Sequence, residues 1–241
     1  MNQKDIEYLK KYYKGNLNEA LQRLEQNEPV QYIVGNVNFY GFEIEVNKNV
    51  LIPRFETEEL IEKTINYIHK LNLDPKNIVD LGTGSGCIAI TLKKMYPHAT
   101  VTAVDISKSA LEVANKNAKN NQVEIDFKQG DMLNPLTEKY DIIISNPPYI
   151  SENEEIMDIV KENEPHLALY ADNEGLYYYE QILKNASNYI NENYLIAFEI
   201  GYKQGQQIIN LAHQYLNNFI AKLEQDLQGK ERFLFIHNTK K

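Results

Sequence analysis

An α/β sheet with right-handed crossovers is the fold that the sequence predicts. Three observations carry it. Short apolar runs rich in β-branched residues alternate along the chain with amphipathic helical patterns. One such run, Ile78-Val79-Asp80-Leu81, feeds directly into the glycine turn Gly82-Thr83-Gly84-Ser85-Gly86. Another, Tyr140-Asp141-Ile142-Ile143-Ile144-Ser145, stops at Asn146-Pro147-Pro148-Tyr149. Ligands of open α/β sheets sit at the carboxyl ends of strands, so both turns are candidates for contact.

Taken in order, the chain opens with a helical pattern over residues 3–26. Ile6, Leu9, Tyr13, Leu17, Leu21 and Leu24 recur at helical spacing, and Gly15-Asn16 breaks the run in two. The pair reads either as a hairpin packed on its own domain or as a partner-docking module. Residues 28–35 read as a linker. Val37 to Val46 reads as two short strands turning at Gly41. Pro53 then interrupts Val50-Leu51-Ile52, and Glu56 and Glu58 follow as the acidic first turn of a helix. Leu60, Ile61, Ile65, Ile68 and Leu71 give that helix one apolar face.

The glycine turn is followed by a helix carrying Ile88, Ala89 and Leu92. Its spacing is G-x-G-x-G, not the G-x-G-x-x-G of dinucleotide sites. Val101 to Asp105 forms the next strand, and Asp105 ends it about twenty residues beyond the glycines, where a ribose-binding carboxylate belongs. A helix cap is the alternative role, but Ser107 already supplies a cap for the next helix. Ala110, Leu111, Ala114 and Ala118 give that helix its buried face. Val123 to Phe127 alternates as a third strand, and Gly130-Asp131-Met132 follows. Residues 194–201 form a further strand, Gln204-Gly205 opens a helix, and two closing strands flank Asp226-Leu227-Gln228-Gly229.

Asn146-Pro147-Pro148-Tyr149 carries the chemistry. The prolines stop the preceding strand, because they donate no N–H and fix φ. The residue before a proline is held extended, so Asn146 is presented stiffly with a carbonyl acceptor, and Tyr149 adds an aromatic face. Such a slot suits a flat group bearing an –NH₂.

Composition narrows the classes. The chain has 241 residues, 43% of them apolar, enough for one ordinary domain with a small addition. Its formal charge of -9 offers no phosphate-backbone footprint. The single cysteine, Cys87, excludes a disulfide framework and reads as a small buried residue. Five histidines lack ligand spacing, so no metal is expected. No apolar run reaches a membrane span, and Met1 to Asp5 opens a polar segment with no signal-peptide character. A cytoplasmic protein without membrane or direct nucleic-acid partners is the expectation.

The Asn-Pro-Pro-Tyr signature resembles that of methyltransferases acting on planar amino or amide nitrogens. These include nucleic-acid adenine and cytosine methyltransferases and the glutamine methyltransferases of peptide chain release factors. The block from Pro29 to Glu59 separates the two. Pro29-Val30, Tyr32-Ile33, Gly35, the turn at Phe39-Tyr40-Gly41 and Leu51-Ile52-Pro53-Arg54-Phe55-Glu56-Thr57-Glu58 resemble the release factor enzymes, and Glu164-Pro165-His166 and Gly175-Leu176 extend the likeness. On these motifs the chain resembles the release factor glutamine methyltransferases over residues 29–237, while the longer N-terminal helical domain usual there is shortened.

The resemblance implies a Rossmann-like, seven-stranded, mostly parallel sheet with one antiparallel strand near an edge. It implies three parts: an N-terminal helical segment (1–27), a linker with β-hairpin (28–55) and an S-adenosylmethionine-dependent methyltransferase domain (56–241). It implies cofactor contacts from Asp80, Gly82, Thr83, Gly84, Ser85 and Gly86, with Asp80 facing the ammonium of the amino acid tail. Asp105 would take the ribose, Asp131 and Met132 the adenine, and Asn146 would touch cofactor and substrate. The implied substrate is the glutamine of a Gly-Gly-Gln motif, held by Asn146, Pro147, Pro148 and Tyr149, with Asn146, Pro147 and Tyr149 carrying the chemistry. Tyr177, Tyr178 and Tyr179 are expected to serve packing. A nucleic-acid methyltransferase is the alternative.

Overall fold

A computed structural model describes residues 2–238; the outermost ends of the predicted first and last segments, residue 1 and residues 239–241, lie outside the described residues. The N-terminal piece is α1 (Gln3–Tyr12) and α2 (Leu17–Glu25), each started by an asparagine, Asn2 and Asn16, whose side chain accepts a backbone N–H of the first turn. The segment read as a linker contains a helix, α3 (Val30–Val34). Pro29 precedes it and Gly35 ends it in the left-handed region at φ 86°. Five residues are too few to show a helical period. Leu9, Ala20, Leu24, Val30 and Ile33 form a small core of their own, so the N-terminal helices pack on one another and on α3.

The hairpin follows as β1 (Asn36–Phe39) and β2 (Phe42–Glu45). Tyr40 and Gly41 both have positive φ, 51° and 85°, as a two-residue turn matched to strand twist requires. Its free edge is tied down by Asn117, whose amide group accepts from Glu45 N and donates to Glu45 O.

Next come α4 (Phe55–Lys70), β3 (Asn77–Leu81), α5 (Cys87–Met95), β4 (Thr100–Asp105), α6 (Lys108–Asn120), β5 (Asp126–Gln129) and β6 (Tyr140–Ser145). Then follow α7 (Asp158–Asn163), α8 (His166–Leu169), the single turn α9 (Asp172–Gly175), α10 (Tyr177–Ala186), β7 (Ile190–Glu199), α11 (Gly205–Tyr215), β8 (Ile220–Gln225) and β9 (Glu231–His237). The strand expected over 123–127 begins later, at Asp126. Gln122 adopts φ 56° and Val123 N bonds back to Ala118 O, so the helix closure takes up the first residues.

The seven strands are ordered β5-β4-β3-β6-β7-β9-β8. β9 is the strand reversed relative to the rest of the sheet, pairing antiparallel with both β7 and β8. Alternate strand residues serve opposite faces. Ile78, Ile142 and Ile144 pack under Leu60, Ile61 and Ile68 of α4 and Ile88 of α5. Val79, Leu81 and Ile143 pack under Tyr179, Ile182 and Leu183 of α10 and Ile208 of α11. Both faces are covered, which is why these strands read as unbroken apolar runs. From β3 the chain proceeds outward through β4 and β5, then returns to β6 on the other side of β3. That reversal opens a crevice at the carboxyl ends of β3 and β6.

Candidate active site

Both special turns open into this crevice. Leu81 and Ser145 are register partners at the ends of β3 and β6, and Ser145 Oγ donates to Leu81 O at 2.6 Å. The glycine turn and Asn146 therefore leave the sheet side by side.

The glycine turn is held by backbone bonds: Gly82 N and Thr83 N both donate to Val104 O at 2.9 Å. Gly82 and Gly84 have φ of 72° and 54°, a region that costs little without a Cβ. Asp105, at the end of β4, accepts from Gly84 N at 2.8 Å and from Ser107 N at 2.9 Å. Burial raises its pKa, with these backbone donors working against the rise. Ser107 caps α6 by accepting from Ala110 N, so the carboxylate of Asp105 is not the cap of that helix.

A cavity of about 750 Å³ lies over this turn, lined by Gly82, Gly84, Asp105, Ile106, Asp131, Met132, Asn146 and Pro148 among others. Asp80 and the turn residues Thr83, Ser85 and Gly86 are buried and do not line the cavity. Asp80 is fully buried and accepts from Thr83 Oγ1 at 2.5 Å, and burial pushes its pKa up to about 7. The carbonyl of Ser85 takes a bond from Asn117 Nδ2, and Gly86 starts α5 close against Ala114. Cys87 is buried and its thiol is pushed up to about 12, the state of an inert thiol. The cavity also has walls that the sequence did not signal. Tyr178 lines it although its neighbour Tyr179 is fully buried core, and Asn49, Val50, Leu51, Pro165, Leu167 and Ala168 complete its wall.

A second cavity, of about 420 Å³, adjoins the first. Asn146, Pro147, Tyr149, Leu51, Arg54 and Glu199 are among its lining residues, and Asn146 borders both cavities. The Asn146 amide is not free to turn: Nδ2 donates to Thr57 Oγ1 at 3.1 Å, and Thr57 Oγ1 donates to Glu199 Oε2 at 2.8 Å. Glu199 ends β7, is almost fully buried, and burial pushes its pKa up to about 7. Burial and the nearby Glu199 charge raise the Tyr149 hydroxyl, which keeps its proton at neutral pH. The Tyr149 carbonyl accepts from Gln204 Nε2 at 2.9 Å and sits where a Cβ on Gly175 would reach to 2.0 Å, so glycine is required there. Arg54 pairs with Glu164 at 2.5 Å, and Glu164 also accepts from Ile52 N, which pins the residues before α4 over the cavity.

Thr57, Glu199, Arg54 and Glu164 are thus site residues that the sequence reading passed over as sites. Thr57, Arg54 and Glu164 stand inside the very motifs that carried the family likeness, which was the available signal. Among the described residues no cluster of three or more His, Cys, Asp or Glu could hold a metal ion, and no helix is long and apolar enough to cross a membrane.

Comparison with known proteins points the same way. The family model described as "Methyltransferase small domain" matches residues 58–168. A release factor glutamine methyltransferase of Streptococcus pneumoniae is 43% identical over 90% of this chain and 78% of its own length. One of Lactococcus lactis is 44% identical over 91% of this chain and 81% of its own. Among solved structures, a methyltransferase from Pyrococcus furiosus matches with a TM-score of 0.63 at 16% identity, covering 92% of this chain and 100% of that one. A Thermus thermophilus 16S rRNA methyltransferase in complex with AdoMet and guanosine matches with a TM-score of 0.59 at 16% identity, covering 84% of this chain and 49% of that one.

Proposed function

The chain belongs to the release factor glutamine methyltransferases, and from that premise we propose that its partner is a peptide chain release factor, methylated on the side-chain amide nitrogen of the glutamine in its Gly-Gly-Gln motif. It is an enzyme that uses S-adenosylmethionine. The first cavity fits that cofactor. A Cβ built on Gly82 or Gly84 would meet nothing within 4 Å, so the turn leaves open space for a ligand to lie against the backbone. Asp105 would take the ribose hydroxyls on its remaining lone pairs, Asp131 and Met132 the adenine, and the Gly82–Gly84 backbone the amino acid tail. Asp80 would act through the turn, holding Thr83, because its carboxylate does not reach the cavity wall. When bound, S-adenosylmethionine supplies an electrophilic methyl group on a sulfonium.

One observation carries the assignment of roles: Asn146 borders both cavities, with its amide nitrogen turned away to Thr57. Its Oδ1 is then the group presented to a substrate. An amide nitrogen is a poor nucleophile, because its lone pair is delocalised into the carbonyl. Asn146 Oδ1 and the Pro147 carbonyl would accept its two N–H groups, aim the nitrogen and draw electron density toward it. Tyr149, protonated and held by the Gln204 contact to its carbonyl, and Pro148 would shape the slot around the amide plane. The nitrogen would gain the methyl group with or before the loss of one of its protons. Positioning of this kind supplies several kcal/mol of barrier reduction. A single glutamine offers few contacts, so docking would involve a wider surface, on the order of 1,000 Å² for a specific complex.

Incubation with methyl-labelled S-adenosylmethionine and, separately, release factor, ribosomal protein and DNA tests the proposal. Label on the Gly-Gly-Gln glutamine of intact release factor, found by mass spectrometry, is the expected result. Label on DNA or on another residue of the factor overturns it.

A further inference from the structure

Thr57 is 3% exposed and stands in the first turn of α4, between the Asn146 amide and the Glu199 carboxyl. Its hydroxyl has one proton and two lone pairs. An ionised carboxylate can only accept, so the hydroxyl proton must point to Glu199. Thr57 Oγ1 is then left with lone pairs alone for Asn146, and the amide must turn its NH₂ group toward Thr57. The two ends of a carboxamide are nearly identical in shape, so nothing steric makes this choice. The choice matters, because the opposite orientation would present a donor to the substrate –NH₂, itself a donor. Once Glu199 is protonated it can donate to Thr57. The hydroxyl proton is then released to point at Asn146, and the amide loses its constraint.

We propose that Thr57 and Glu199 are positioning residues for methyl transfer, a hydrogen-bond chain that locks the Asn146 amide with its oxygen toward the substrate nitrogen while Glu199 is ionised. The proposal rests on the reading of Asn146 as the acceptor of the glutamine N–H. The Glu199 carboxyl has charged and titratable neighbours from every element packed around it. Arg54, Glu56 and Thr57 come from the start of α4, Arg232 from β9, Tyr149 from the loop after β6, Tyr179 from α10 and Cys87 from α5. Tyr179 donates its hydroxyl to the Glu199 backbone carbonyl at 2.7 Å and so holds the strand end in place. Burial raises the carboxyl most and Glu56 raises it further, while the Thr57 bond, Arg232 and Arg54 lower it, leaving it at about 7. The sign follows: the lock is present above that value and is lost as pH falls through it.

The test uses the full chain with intact release factor. Thr57→Val removes the hydroxyl at nearly constant shape, and Thr57→Ser restores it. Thr57→Val should lower kcat at least about tenfold, as loss of one preorganised polar contact does, with affinity for S-adenosylhomocysteine little changed and a fall of a few degrees in melting temperature, because the Glu199 carboxyl and the Asn146 amide lose a partner. Thr57→Ser should recover most of the loss. In the wild type kcat should rise between about pH 6 and 8, and in Glu199→Gln that rise should vanish. A readout free of turnover is the side-chain NH₂ resonance of Asn146 in the unliganded protein, assigned by its absence in Asn146→Asp. It should titrate near neutral pH in the wild type and not in Glu199→Gln. Wild-type kcat in Thr57→Val, or an Asn146 resonance that does not move across that range, overturns the proposal. Should Thr57→Val fail to fold, the wild-type titration decides alone. A wild type that leaves release factor unmethylated would sink the proposed function instead, and the resonance would still report on the lock.

Discussion

Asp80 and Glu199 are buried carboxyls at the ends of strands, each accepting from a threonine hydroxyl and each pushed by burial to about 7. Asp80 lies beneath the glycine turn and Glu199 beside Asn-Pro-Pro-Tyr, so the two ends of the site rest on similar devices. They differ in where the threonine comes from. Thr83 is three residues from Asp80, whereas Thr57 is 142 residues from Glu199. The proposed cofactor end is therefore assembled mainly within one strand–turn–helix unit and its neighbour β4. The proposed substrate end exists only when α4 is packed against the ends of β6 and β7. One site thus combines a locally determined half with a half that depends on long-range packing, and the two halves should fail separately.

The largest expected effect falls on the substrate end. Asn146→Ala should slow methyl transfer by about a hundredfold, the scale of losing one preorganised contact in the transition state. Affinity for S-adenosylhomocysteine, measured by calorimetry, should change far less. A variant that loses cofactor affinity as well would break the comparison, because the two halves would then not be separable. An unchanged single-turnover rate at saturating cofactor would make the signature structural.

Asp105→Ala probes the other half. Removing a carboxylate that binds through charge-assisted hydrogen bonds should weaken cofactor binding by roughly 1 to 3 kcal/mol. The single-turnover rate at saturating cofactor should remain close to that of the wild type. Equal affinity in the variant would remove Asp105 from the site. The same change also strips the Gly84 and Ser107 N–H groups of their acceptor, so a modest fall in melting temperature should accompany it.

The smallest effect sharpens the idea that the glycine turn is a local conformational requirement. Gly84 sits at φ 54° with open space around its absent Cβ. Gly84→Ala meets no steric wall and should cost about 1 kcal/mol through backbone strain alone. That corresponds to a fall of a few degrees in melting temperature for a chain of this size. A much larger loss would mean that the turn depends on contacts beyond its own backbone.

Much of this was legible in the residues. The strand–glycine-turn–helix unit, Asp105 at the next strand end and Asn-Pro-Pro-Tyr after an apolar run are each contiguous signals with a local cause. Proline and glycine act on their own backbone, and apolar periodicity records which face is buried. The positions that escaped the reading are of two kinds. α3 reads as linker because one and a half turns are too short for a period, and β5 starts later than the alternation over 123–127 predicts because residues 122 and 123 close α6. Tyr178 lines the crevice and Tyr179 the core, a difference that helical spacing alone does not tell.

By itself the sequence determined the α/β class, the alternation of strands and helices from β3 to β6, the hairpin turn at Gly41 and the two turns that meet at the crevice. These rest on interactions between near neighbours and on burial patterns that repeat along the chain. Only the tertiary structure decided that Asp80 lies under the glycine turn and away from the cavity. It also decided that Asn146 borders two cavities, and that Thr57 and Glu199 meet beside it. A carboxylate reads the same in a sequence whether it faces a ligand or a hydroxyl. Which one it faces depends on how strand ends and helices from distant parts of the chain come within a hydrogen bond of each other, and packing sets that distance.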